Sequence, residues 1–389
     1  MTTTDRAEHH TRRWSNLPRY LHRRRAVTVT GISLVSLVVA GGTWMLSATP
    51  NRPASADRQA TTPNSRARRA TAERSAAQAA TDASALPGPI LIADRGNNRL
   101  LEVDPNGHII WQFPRPGDLG PHQTFNVPDD AFFTPDGKQI IATQEDAFVV
   151  TLIDIATHKI VWRYGTPGTS GTGANQLWNP DDAIMLHDGR IIVADIKNCR
   201  IVLLTPGTQV PAQQLGRTGH CSHRTGTRFS SPNGAFPQPN GQILVTEIGG
   251  DWITSMNLDG TVSWTTHAPG VHYPSDTNQI GPDRYLTVDY SRPGQIVEFD
   301  HTGHLLWRYA PSGPNMLDKP SLAEPLPNGD ILATDDDNNR VIVIDPTTNK
   351  IVWQYGHTGI AGHQPGYLAD PDGADLAPPY SLNNMNVTR

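Results

Sequence analysis

The 389-residue chain has only two cysteines, Cys199 and Cys221, which excludes a disulfide-scaffold protein and any Cys-rich zinc or iron–sulfur site. It has no Gly-x-Ser-x-Gly elbow, no phosphate loop and no His-Glu-x-x-His, which removes the common serine hydrolases, P-loop NTPases and zinc proteases. Charged residues are only 18% and hydrophobic residues 37% of the chain, while Gly and Pro together make up about one residue in six. That balance argues against a helical bundle and for many short strands joined by turns. Positive charge is scarce over most of the length. The net charge of −5 hides thirteen arginines in residues 1–25 and 47–86, so the remainder carries a net of −13. A region that acidic repels a phosphate backbone, and no nucleic-acid partner is expected.

The one long apolar run is residues 26–46, 21 residues without a charge. A helix of that length matches a hydrocarbon core of about 30 Å, and Arg23-Arg24-Arg25 beside it should stay cytoplasmic. Residues 1–25 therefore read as a basic cytoplasmic tail and 26–46 as a single-pass transmembrane signal-anchor, with everything beyond it outside the cytoplasm. A cleaved signal peptide is the alternative, with Ala54-Ser55-Ala56 as its site. Residues 47–86, rich in Ala, Ser, Thr, Arg and Pro, cannot bury enough apolar surface to fold and read as a disordered linker. Residues 87–380 form the folded domain and 381–389 a tail.

That domain repeats. The segments Ile90-Leu91-Ile92-Ala93-Asp94, Ile140-Ile141-Ala142-Thr143-Gln144, Ile191-Ile192-Val193-Ala194-Asp195, Ile243-Leu244-Val245-Thr246-Glu247, Tyr285-Leu286-Thr287-Val288-Asp289 and Ile331-Leu332-Ala333-Thr334-Asp335 recur about every fifty residues. A second apolar run and a third ending near a tryptophan follow each one: Trp111, Trp162, Trp264, Trp307 and Trp353, with Gln214 in the third repeat. A fourth strand precedes each repeat, headed by Pro128, Pro180, Pro232, Pro274, Pro320 and Pro371. Four antiparallel strands repeated radially describe a β-propeller, all-β and six-bladed. Residue 90 opens on a second strand, and residues 371–376 supply one surplus first strand. The C-terminal strand should therefore complete the first blade and close the ring.

The linkers Tyr164-Gly165-Thr166-Pro167-Gly168…Leu177-Trp178-Asn179-Pro180-Asp181 and Tyr355-Gly356-His357-Thr358-Gly359…Leu368-Ala369-Asp370-Pro371-Asp372-Gly373 resemble the NHL repeat, as do Ala93-Asp94-Arg95-Gly96-Asn97-Asn98-Arg99 and Asp336-Asp337-Asn338-Asn339-Arg340. The stretches from Asp154 to Trp162 and from Asp345 to Trp353 resemble the tryptophan motif of quinoprotein-like (PQQ-like) propellers. The resemblance covers residues 90–376. It implies the six-bladed fold and leaves activity open, because such propellers include binding modules, lyases, lactonases and transferases.

Strand direction places the candidate chemistry. First-strand starts, second-strand ends and inter-blade loops share one face, which gathers acids and histidines around the channel mouth. The strand-end acids recur and are expected to accept loop N–H groups. Asp130, Asp182 and Asp276 point at a crowded channel, where a cation relieves their repulsion or raised pKa values do. Their hard oxygens favour a divalent cation, Ca²⁺ first. His122 and His272 are the candidate bases. Trp178, Asp251, Trp252, Tyr273, Tyr290 and Arg292 are candidates for ligand contact on that face. Cys199 and Cys221 are candidates for a disulfide, or Cys221-Ser222-His223 for a metal cluster. Two functions follow. One is a membrane-anchored extracytoplasmic module that binds a protein or glycan through its acidic face. The other is a metal-assisted enzyme of lyase, lactonase or sulfotransferase type with a cation in the channel. PQQ itself is disfavoured by six blades and few tryptophan motifs.

Overall fold

A computed structural model describes residues 85–379, and the basic tail, residues 26–46, the linker up to residue 84 and the C-terminal tail lie outside them. Among the described residues, no helix is long and apolar enough to cross a membrane. They form six four-stranded antiparallel sheets, the blades of a six-bladed propeller. The surplus strand Pro371–Leu376 pairs with Ile90–Asp94 as the innermost strand of the first blade, so both chain ends share one sheet and close the ring. Ala85 and Leu86, which composition assigns to the linker, belong to the folded domain instead. Their apolar side chains are buried, and Asn328 Nδ2 donates to the Ala85 carbonyl at 3.2 Å.

The second strands form because runs such as Ile191–Asp195 and Ile331–Asp335 are β-branched and buried on both faces, as sheets stacked between neighbouring sheets require. The tryptophans are wedges between blades. Trp111 Nε1 donates to the Ile155 carbonyl at 3.1 Å, Trp307 Nε1 to Asn349 Oδ1 at 2.8 Å, and Trp353 Nε1 to the Pro105 carbonyl at 3.0 Å, each in the following blade. The last of these spans the ring closure. Burying an indole with its N–H bonded satisfies both the apolar ring and the polar edge.

Second-strand ends are tied down by the loops. In the first, third and sixth blades an Asp-x-x-Asn-x-Arg pattern makes one network. Asp94 accepts from Asn97 Nδ2 (2.9 Å), Arg99 Nε (2.6 Å) and the Ala369 N–H (2.8 Å). Asp195 accepts from Asn198, Arg200 and the Trp178 N–H. Asp335 accepts from Asn338, Arg340 and the Asp318 N–H. The turn between Asp and Arg needs a left-handed residue, which Asn98 and Asn339 supply at φ 55° and 56° and Cys199 at 56°. In the fourth blade Glu247 takes the Asp place and His223 Nδ1 (2.8 Å) the Arg place. These recurrent acids are structural.

One strand is shorter than the repeat indicates. The innermost strand of the sixth blade is Ala323–Pro325, three residues, although Pro320 occupies the usual leading position. Ser321 turns out of the ladder there, its Oγ bonded to Asp336 (3.1 Å) and to the Asp372 carbonyl of the next blade (2.7 Å).

Candidate functional site

Five innermost strands share a bulge that presents side chains to the channel. Pro128 pairs with Gln144 and the next pair is Ala131 with Ala142, so two residues on one strand oppose one on the other. The same break follows Pro180, Pro232, Pro274 and Pro371. A bulge frees residues from the ladder and re-aims them. The freed N–H of the second residue finds a hydroxyl instead: Thr143 Oγ1 accepts from Asp130 at 3.0 Å and Thr246 Oγ1 from Gly234 at 2.7 Å.

The first residues after the prolines are Asp129, Asp181, Asn233, Ser275, Ser321 and Asp372. All six line a cavity of about 130 Å³ at the channel mouth. Its outer wall includes Arg95, Glu145 and Tyr290, which follow the second strands of their blades, and Tyr273, which precedes Pro274. Arg95 holds this ring together: Nη1 donates to Asp372 (3.0 Å), Nη2 to Glu145 (2.9 Å), and Nε lies 3.2 Å from Asp129 without hydrogen-bond alignment. Burial works against the guanidinium charge, but Asp129, Asp372 and Glu145 outweigh it and push its pKa upward. Arg95 thus pairs with Asp129, Glu145 and Asp372, while Asp181 and a second cationic residue, Lys197, complete the charged lining. Burial, followed by the neighbouring carboxylates, raises Asp129 and Asp181 well above the ordinary carboxylate range. Burial also lifts the Tyr273 and Tyr290 phenols, so both stay protonated.

Directly below, the second residues form another ring: Asp130, Asp182, Gly234, Asp276, Leu322 and Gly373. One oxygen from each of Asp130, Asp182 and Asp276 lies within 4.8 Å of the other two. Oδ1 of each is buried with no hydrogen-bond partner. Burial raises Asp182 to about 7, and burial plus the neighbouring carboxylates raise Asp130 and Asp276 well above the ordinary value. Beneath this ring lie Phe132 and Phe236, edge to face at 5.8 Å, with Ile184, and in the same register of the other blades the buried Asn278, Glu324 and Asp375.

The structure gathers some sequence candidates and disperses others. Asp130, Asp182 and Asp276 come together. Tyr273 and Tyr290 lie side by side on the fifth-blade wall of the mouth, their rings 5.3 Å apart and the Tyr290 N–H donating to the Tyr273 carbonyl at 2.9 Å. Trp178, Asp251, Trp252 and Arg292 do not line the cavity. Trp178 is exposed, Arg292 is ion-paired with Asp318, and Trp252 is stacked between His223 and His267 at 4.2 and 3.9 Å. His122 sits on an exposed loop, and His272 projects into solvent 3.9 Å from Asp251, so neither candidate base reaches the cavity. Cys199 and Cys221 are joined in a disulfide, Cα to Cα 5.2 Å, which leaves no thiolate for a metal cluster with His223. Arg95 and Glu145 were not among the candidates, and their signal lay in the repeat register. Both follow a second-strand end, where Ile196, Ile248, Tyr290 and Asp336 stand in the other blades.

Comparison with known proteins supports the architecture. Residues 249–365 match a PQQ-like repeat family described as outer membrane protein assembly factor BamB. No curated protein matches the chain. Among solved structures, a protein of unknown function from Bacteroides caccae superposes with a TM-score of 0.52 at 15% identity, covering 74% of this chain and 98% of that one. A streptogramin B lyase superposes at 0.43 and 19% identity over 59% and 68%, and the dihydro-heme d1 dehydrogenase NirN at 0.46 and 14% over 76% and 75%. At these identities the likeness is one of fold. The six-bladed ring and the family match together fit a PQQ-like propeller family.

Proposed function

We propose that this propeller is a binding module whose acidic mouth takes a positively charged group of an extracytoplasmic protein or glycan, with residues 26–46 as its membrane anchor. The observation that carries the reading is the composition of the mouth, where the four carboxylates of Asp129, Glu145, Asp181 and Asp372 outnumber two cationic residues, Lys197 and Arg95, and Arg95 is already ion-paired with three of them. A low-dielectric cleft of one charge sign focuses its field on an incoming group of the other sign. The two phenols add flat faces on which an ammonium or guanidinium can rest. Strand direction adds that Ala85, the first described residue, lies on the face opposite the mouth, bonded to Asn328.

The same surface does not fit a quinone cofactor. PQQ is a tricarboxylate, and four carboxylates already oppose the two cationic residues of the lining, with Arg95 shared among three of them. A metal-assisted enzyme would need a base over the channel, and the histidines assigned to that role lie on the exposed rim.

The test is binding of a tetralysine peptide and of a chito-oligosaccharide with free amines to the full chain. Affinity for at least one should fall as salt rises and drop at least tenfold in the Asp181→Asn/Asp372→Asn double variant. Binding unchanged by that neutralisation would sink the reading.

A further inference from the structure

We propose that Asp130, Asp182 and Asp276 form a binding site for one hard divalent cation, Ca²⁺ in the first instance, below the mouth and independent of what the mouth binds. Three separate observations converge on it. Each carboxylate comes from a different blade, and one oxygen of each lies no more than 4.8 Å from the others. Three oxygens that close can share one hard divalent ion with metal–oxygen bonds of about 2.1–2.4 Å, the range of magnesium and calcium.

Next, Oδ1 of all three is buried and unpartnered. Asp130, Asp182 and Asp276 are only 3%, 1% and 2% exposed, so water does not supply the missing partner from bulk. Buried polar atoms are nearly always bonded, and three orphaned oxygens at one point ask for a common ligand. The second oxygen of Asp182 does have a donor. Asp182 Oδ2 accepts from the Ala235 N–H at 3.3 Å, which fixes its carboxylate.

The third observation is the backbone. In the same ring, Gly234 and Gly373 take the places where other blades carry a side chain. A Cβ on Gly234 would lie 2.5 Å from Thr246 Oγ1, 3.1 Å from Asp182 Oδ2 and 3.2 Å from Asp276 Oδ1, and one on Gly373 would lie 2.5 Å from Asp130 Oδ1 and 3.0 Å from the Ala131 nitrogen. Both glycines keep φ outside the left-handed range, so conformation does not demand them, and the carboxylates share the space they leave with the Thr246 hydroxyl and the Asp130–Ala131 backbone.

The donor set decides the class of ion. All three ligands are carboxylates, and no histidine or cysteine joins them. Hard oxygens select calcium, magnesium or manganese over zinc or copper. A path exists too: Asp129, Asp130 and Asp181 form a second set of oxygens within 4.8 Å, sharing Asp130 with the first and lying at the mouth. On the other side the layer is half apolar, Phe132, Ile184 and Phe236, and half polar, Asn278, Glu324 and Asp375, all buried.

The experiment is calorimetric titration of the chelator-stripped full chain with CaCl₂, then with MgCl₂ and ZnCl₂, at pH 7.5. The expected result is one Ca²⁺ per chain, tighter than Mg²⁺, with no equivalent zinc site. Asp182→Asn and Asp276→Asn should each weaken Ca²⁺ at least tenfold, while Asp300→Asn, on a distant exposed turn, should leave it unchanged. Absence of Ca²⁺ binding by the wild-type chain at millimolar concentration overturns the proposal without any variant. So does Ca²⁺ binding of the same affinity in folded Asp182→Asn and Asp276→Asn.

Discussion

Two sets of aspartates sit in this propeller within one strand of each other, both buried and both raised by that burial, yet they are built to opposite ends. Asp94, Asp195 and Asp335 each accept from an arginine, an asparagine and a backbone N–H. Those bonds hold back the rise that burial causes. Asp130 and Asp276 are raised further, because their nearest charged neighbours are other carboxylates and Oδ1 of each has no donor. The lesson is that a buried acid in a repeat protein is read by its partners and not by its burial. Where the fold supplies a cation and an N–H, the acid staples a loop. Where it supplies no cation and leaves one oxygen of each acid without a donor, the missing partner comes from outside the chain.

The largest effect should come from breaking a stapled acid. Arg340 has a 2% exposed side chain and bonds Asp335 at 2.7 Å. Arg340→Leu leaves that carboxylate buried without its cation and should cost about 3–5 kcal/mol in urea unfolding. A loss below about 1 kcal/mol would erase the distinction between the two sets.

The open set should respond with the other sign. In chelator at pH 8, Asp182→Asn removes one of three mutually repelling charges and should stabilise the fold, by about 1–2 kcal/mol on the same assay. Destabilisation there would mean that Asp182 already has a compensating partner.

The pH dependence follows from the same group. Asp182 has a folded pKa of about 7 against an ordinary 3.8, so the metal-free fold binds the proton more tightly than the unfolded chain. Its contribution is fully present below about pH 4 and is lost as pH rises towards 7. Melting temperatures of the chelated wild type should therefore fall across that window, and those of Asp182→Asn should fall less.

The disulfide should matter at a similar scale, since it closes a loop of 22 residues between the third and fourth blades. Cys221→Ser should lose about 3 kcal/mol. The smallest effect belongs to exposed pairs such as His301 with Asp283, 2.8 Å apart with both side chains about half exposed, where His301→Ala should change stability by less than about 1 kcal/mol.

The ring was legible in the sequence because its cause is periodic. An apolar second strand, a wedge tryptophan and a leading proline recur, and the surplus strand at residues 371–376 fixes where the ring closes. The trio was legible from the same register, two residues beyond a proline. What could not be read is the bulge that turns those residues inward, because it is a mismatch between strands and leaves no mark in either one. Arg95 escaped for a related reason: it stands inside a motif whose neighbours, Asp94, Asn97 and Arg99, are structural. The tryptophan and arginine candidates failed because unusual residues in loops bond locally, as Arg292 does with Asp318 and Trp252 with His223.

The most direct measurement is the melting temperature of the full chain from pH 4 to pH 8, taken in chelator and again with saturating CaCl₂. The account predicts a decline with pH in chelator that Ca²⁺ reverses above pH 6, with Asp182→Asn insensitive to the ion. A flat profile that calcium leaves unmoved would contradict it, and would place the three aspartates among the stapled ones.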